Sequence, residues 1–164
     1  MKKLFCIAAV TGLLASHSPV LAEDSGVTNE AAAMATVERF FKAINAADTE
    51  AMSNILKPGA KFTTVFDTPD GALGSSVDLV SSFLPSMKTG PKITERFWNP
   101  KLLANDRIAV FWARYDMHLD GKYSHCGTDV FDLIKSGDTW QIMNIRVTVQ
   151  SSGCPTSPLG PLKK

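Results

Sequence analysis

Asp116, His125, Asp129 and Arg146 are the residues of this chain whose types and spacing could do chemistry. An aspartate set among strand-forming residues, as in Thr128-Asp129-Val130-Phe131, can pair with a cation across the strands. Paired with Arg146 or Arg114, Asp129 would hold strands in register. His125 with Asp116 has the make-up of an orienting pair for general acid–base work, since imidazole titrates near neutrality. His118 lies two residues beyond Asp116. Cys126 adjoins His125, but neighbours on a strand point to opposite faces, so these two cannot form a nucleophile dyad. Two histidines with carboxylates nearby raise the question of a metal, yet no tight motif such as His-Glu-x-x-His occurs. A phosphate loop, a Gly-x-Ser-x-Gly elbow and a dinucleotide fingerprint are equally absent. The expectation is no metal and no cofactor.

A second set is aromatic: Phe40, Phe41, Phe83, Trp98, Trp112 and Phe131. These either fill a core or line a cavity for a small apolar or aromatic molecule. Together with the polar residues they give Phe40, Trp112, Asp129, Phe131 and Arg146 as the expected ligand-binding positions.

Helices and strands must place these residues. Ala33, Val37, Phe40, Phe41 and Ile44 fall on one helical face, and Asp48 reads as the N-cap of a second helix carrying Met52 and Ile55. Lys61 to Phe66 alternates as a strand and ends in the turn cluster Asp67-Thr68-Pro69-Asp70-Gly71. Ser76 is expected to cap a third helix with Val77, Val80, Phe83 and Leu84 inward. From Ile93 the chain reads as strands: Ile93 to Trp98, a long one within Leu102 to Leu119, then Tyr123 to Lys135 and Trp140 to Gln150. Asp120-Gly121 is a strong hairpin turn. A regular hairpin there sets His118 opposite Tyr123, Asp116 opposite His125 and Trp112 opposite Asp129. Trp112, Arg114, Asp116, His125, Asp129 and Phe131 then share one face. Arg146 falls opposite Asp129 if the loop around Gly137 has even length, and on the other face if it has three residues.

Composition bounds the partners. The chain has 164 residues, 45% hydrophobic and 20% charged, an ordinary single domain rather than a collagen, a disordered tail or a disulfide-packed miniprotein. Seventeen Lys and Arg against sixteen Asp and Glu leave +1, so no basic surface invites nucleic acid. Lys2 and Lys3 precede an apolar run, Leu4 to Leu14, and Val20-Leu21-Ala22 is a small-x-small cleavage pattern. Residues 1–22 are therefore expected to be a signal peptide, making the protein periplasmic or secreted. The run is too short for a membrane anchor, and Glu23 rather than a cysteine follows the cleavage point. Residues 23–28 read as a flexible leader, 29–150 as one domain and 151–164 as an irregular tail. An oxidising compartment would favour a Cys126–Cys154 disulfide. An extended chain would carry Cys154 roughly 16 Å past Cys126, so the bridge needs a reversal at Ser152-Gly153.

Helices first and antiparallel strands afterwards make an α+β domain. Val37-Glu38-Arg39-Phe40-Phe41, Ala46-Ala47-Asp48-Thr49-Glu50-Ala51-Met52, Thr128-Asp129-Val130-Phe131-Asp132-Leu133 and Trp140-Gln141-Ile142 carry a resemblance to the nuclear transport factor 2-like superfamily, including its SnoaL-like and ketosteroid isomerase-like branches. Ser124-His125-Cys126-Gly127 and Gly153-Cys154 narrow it to exported, uncharacterised members. The resemblance implies a cone-shaped, curved mixed sheet wrapped by three helices, a pocket beneath them, and a homodimer burying one sheet face. It also implies that Asp129 matches a carboxylic acid kept protonated to donate to a developing enolate. The matching base would be Asp67, at the end of the first strand, where the plainer role is a turn residue. The matching second donor is a tyrosine, and this chain has Phe40 there. The leading expectation is an exported small-molecule-binding protein. The alternatives are a cofactor-free isomerase or dehydratase using Asp129 with Asp67 or His125, and a structural or assembly subunit.

Overall fold

Ala33, Val37, Phe40, Phe41 and Ile44 line the buried side of α1 (Ser25–Asn45) in the computed structural model of the protein, which describes residues 25–162. The proposed signal peptide lies outside the described residues. Helix α1 begins at Ser25, so residues 25–28 continue it rather than forming a loose leader. Asp48 caps α2 (Thr49–Ile55) by accepting from the Ala51 N–H at 2.9 Å. The chain then enters β1 (Leu56–Asp67), which turns back through β2 (Leu73–Leu79). The expected helix at Ser76 is thus a strand. Ser75, Ser76 and Val77 are weak helix formers, and antiparallel pairing from Lys61↔Leu79 to Asp67↔Leu73 satisfies their backbone instead. Helical turns come only afterwards, in α3 (Val80–Phe83) and a 3-10 turn, Leu84–Lys88, so Val77 is exposed while Val80 is buried.

Four antiparallel strands follow: β3 (Ile93–Ala104), β4 (Ile108–Leu119), β5 (Lys122–Ser136) and β6 (Thr139–Val149). The expected strand within Leu102 to Leu119 is divided by a turn in which Asn105 Oδ1 accepts from the N–H groups of Arg107 and Ile108. At the next turn Asp120 and Gly121 both have positive φ, 51° and 75°, as a two-residue hairpin of the favoured hand requires.

The sheet order is β2-β1-β6-β5-β4-β3. β1 runs parallel to β6, so the first long strand is closed by the last. The sheet is open and mixed, and the helices cover one face, where Phe111, Phe131, Leu133, Ile142 and Ile145 meet α1 and α2. Phe41 stacks on Phe131 at 5.6 Å between centroids, and Phe40 meets the same ring edge-on at 5.2 Å. Among the described residues no helix is long and apolar enough to cross a membrane.

Candidate functional site

Two single-residue bulges decide which side chains face the helices. His118 pairs with Tyr123 as expected, but Met117 then pairs with His125, leaving Ser124 as an extra residue. An inserted residue moves every later side chain to the other face. Asp116 therefore lies opposite Cys126, not His125, and Trp112 opposite Val130, not Asp129. His125, Asp129 and Phe131 remain on the concave face under the helices. Asp116, Arg114 and Trp112 go to the convex face, where Lys101 Nζ sits 5.7 Å from the centre of the Trp112 ring.

The second bulge lies in β6. The turn between Ser136 and Thr139 has two residues, the even-length case that should bring Arg146 opposite Asp129. Leu133 pairs with Ile142 and Asp132 with Asn144, so Met143 is the extra residue and the register shifts. Asp129 faces Val147, while Arg146 joins the convex face and donates to Asp132 at 2.8 Å. Neither Trp112 nor Arg146 lines the pocket, contrary to expectation. Asp67 also stays outside it, exposed at the end of β1. Phe40, His125, Asp129 and Phe131 are brought together.

They enclose an apolar cavity of about 260 Å³ between the concave face and α1, α2 and α3. Phe40, Ile44, Met52, Phe83, Phe131 and Ile145 form most of its wall. Its polar groups converge from three strands. Asp129 in β5 is 0% exposed, and no N–H or hydroxyl group donates to either carboxylate oxygen. Glu95 in β3 is 7% exposed and close enough to Asp129 for the two to share a proton. Tyr115 in β4 is spoken for, its hydroxyl donating to the Thr148 carbonyl at 2.8 Å. That bond passes over Gly127, where a Cβ would collide with the Thr148 carbonyl oxygen, so only glycine fits.

Glu95 sits on an edge strand and needs an anchor. Asn45, the last residue of α1, supplies it: its side chain accepts from the Glu95 N–H at 2.7 Å and donates to the Glu95 carbonyl at 2.9 Å. The helix end thus replaces the missing neighbouring strand and fixes the carboxyl beneath it.

Burial sets the protonation of the pair. Removal from water pushes the Asp129 carboxyl well above the usual carboxylate range, and the charge of Glu95 adds to this. Burial also raises Glu95, to about 7, against the hydrogen bond with Asp129 that lowers it. Like charges this close cannot both ionise cheaply, so the pair keeps a proton at neutral pH. His125, half-buried, is pushed down by burial and is neutral there; its Nδ1 lies 3.0 Å from Ser124 Oγ. Among the described residues no group of three or more His, Cys, Asp or Glu side chains is placed to hold a metal. The site offers one carboxylic O–H donor, one titrating carboxyl and a neutral imidazole in an apolar cavity.

Sequence reasoning missed Glu95 and Tyr115. The signal for Glu95 was present: in Ile93-Thr94-Glu95-Arg96-Phe97 the glutamate occupies the apolar phase of an alternating strand. Tyr115 gave no comparable sign.

No protein-family model matches this chain, and no curated protein matches its sequence. Solved structures do match its fold. A candidate dehydratase of the NTF2-like family from Streptomyces avermitilis aligns at TM-score 0.57 and 13% identity, over 76% of this chain and 97% of its own. An NTF2-like protein of unknown function from Shewanella baltica aligns at 0.52 and 16%, over 74% and 94%. A protein of unknown function from Nostoc punctiforme, described as having a cystatin-like fold, aligns at 0.59 and 11%, over 74% and 91%. Identities this low speak for architecture alone, and that architecture is an α+β cone with the NTF2-like fold.

Proposed function

We propose that the protein binds a compact, largely apolar molecule carrying one hydrogen-bond acceptor, to which the Asp129–Glu95 pair donates. The observation that carries this reading is the fully buried Asp129 carboxyl at the wall of an apolar cavity, to which no N–H or hydroxyl donates and whose partner is a second carboxyl, Glu95. With no other group bonded to Asp129, the pair keeps hydrogen-bonding capacity that a ligand carbonyl or hydroxyl would take up. The cavity exceeds the roughly 150 Å³ that admits a benzene ring. Its open volume also counts against a purely structural subunit. The N-terminal signal pattern supports export, and exposed Leu103, Ile108 and Val110 on the convex face support a homodimer.

A second reading, a cofactor-free isomerase or dehydratase, is favoured by one feature: two carboxyls of unlike proton affinity share the pocket. Glu95, ionising near neutrality, would take a proton from carbon next to a carbonyl while protonated Asp129 steadies the enolate oxygen. Glu95 thereby replaces Asp67 as the base, and Phe40 leaves the oxyanion with one donor fewer.

Cyclohexanone separates the two readings. Calorimetry is expected to show saturable binding that Asp129→Asn weakens about tenfold. No binding to the wild type would overturn the reading. Proton NMR in deuterated water would follow exchange beside the carbonyl: binding without exchange marks a binder, while exchange abolished by Glu95→Gln marks the enzyme.

A further inference from the structure

A second hollow of about 900 Å³ lies on the convex side of the sheet, away from the carboxyl pair. Its roof is the C-terminal tail, through Pro155, Pro161 and Leu162. The tail reaches this position because Cys126 and Cys154 are joined, with Cα atoms 5.9 Å apart. Gly153 makes the necessary reversal, with φ of 69°.

The floor is ordered by charge. Arg96 grips Asp116 through two bonds of 2.8 and 2.7 Å, with the side chains only 18% and 4% exposed. The Asp116 Oδ1 atom also lies 3.6 Å from His118 Nδ1, a buried nitrogen that has no hydrogen-bond partner. The ring is further held edge-on against Tyr123 at 5.6 Å. His118 lines the hollow with its Nδ1 edge turned to Asp116, so it meets the interior through the rest of the ring, which carries Nε2. Lys92 stands at the rim, its backbone N–H held by Asp120 Oδ1 at 2.9 Å. Asp116 and Arg96 cancel, which leaves one cation in excess among the described lining residues.

We propose that this hollow is a second binding site, for a small organic monoanion whose carboxylate lies between Lys92 and His118 and whose hydrocarbon body packs beneath the disulfide-held tail. One excess cation suits one negative charge. The oriented imidazole supplies a directional donor, and the two prolines, Leu162 and the Tyr123 ring supply apolar wall. Nothing in the site depends on the concave pocket, which opens on the other face of the sheet.

Benzoate titrated into the full, oxidised chain tests this, with NMR following the ring protons of His118 and His125. Saturable movement of the His118 signals is expected, with His125 unmoved. Lys92→Met, an exposed change that leaves the fold intact, should weaken benzoate about fivefold, and His118→Asn, followed on the benzoate signals instead, should weaken it too. Cys154→Ser, which frees the roof, should weaken it as well. Benzamide, the neutral isostere, should bind far more weakly. Equal affinity for benzamide would overturn the proposal. So would movement of His125 instead of His118, an absence of any shift at saturating benzoate, or indifference to Lys92→Met.

Discussion

Asp129 and Asp116 stand in neighbouring strands of one sheet, both nearly inaccessible to water, and the fold treats them in opposite ways. On the convex face Asp116 receives two short bonds from Arg96. On the concave face no N–H or hydroxyl donates to Asp129, and its partner is another carboxyl, Glu95. A buried carboxyl can be settled by a cation or by a proton. The cation makes a rigid structural element whose loss is expensive. The proton leaves a donor free in an apolar cavity, available to a ligand. One sheet thus keeps its polar structure and its candidate chemistry on separate faces.

The most forceful way to break this contrast is to remove the cation. Arg96→Met leaves Asp116 buried and unpaired, and unfolding in urea is expected to show a loss of about 3–5 kcal/mol. Asp129→Asn strips no cation, so its cost should stay below about 1 kcal/mol. Equal costs for the two variants would end the distinction.

A somewhat smaller effect should appear in the pH dependence. Burial raises the Glu95 carboxyl from its ordinary 4.5 to about 7, so the folded protein holds a proton that the unfolded chain releases. That contribution to stability is complete below pH 4.5 and is lost as pH rises through about 7. For Glu95 alone it amounts to about 3 kcal/mol. Subtracting the unfolding free energy of Glu95→Gln from that of the wild type across this window isolates it. A flat difference would mean that the two carboxyls do not share a proton.

The smallest expected effect sharpens the assignment of faces. Arg146→Ala breaks a half-exposed pair with Asp132 and should cost about 0.5 kcal/mol, without changing cyclohexanone affinity. A change in that affinity would return Arg146 to the pocket.

These assignments also mark where the sequence stops being readable. Helical spacing located α1, the Asp48 cap located α2, and Asp120-Gly121 located the hairpin, because each rests on local backbone preference. The faces of the strands did not follow. Ser124 and Met143 have no composition that marks a bulge, yet each inverts the alternation beyond it. Asp129 and His125 could be picked out as polar residues in apolar strands, and Glu95 was open to the same argument. That Trp112 and Arg146 belong to the other face required the three-dimensional register. Ser76 misled for a related reason: the pairing of β2 with β1 outweighs a local capping signal.

The parallel pairing of β1 with β6 has a kinetic meaning. Phe62 finds its sheet neighbour in Ile145, and Thr64 in Val147, more than eighty residues later in the chain. Such long closures raise the contact order and slow folding. During synthesis β1 has only β2 beside it, and its other edge stays open until nearly the whole domain has emerged. The concave pocket cannot close before then either, since Ile145, Val147 and Val149 form part of its wall. The sheet is therefore completed late, only when its last strand arrives to pair with the first.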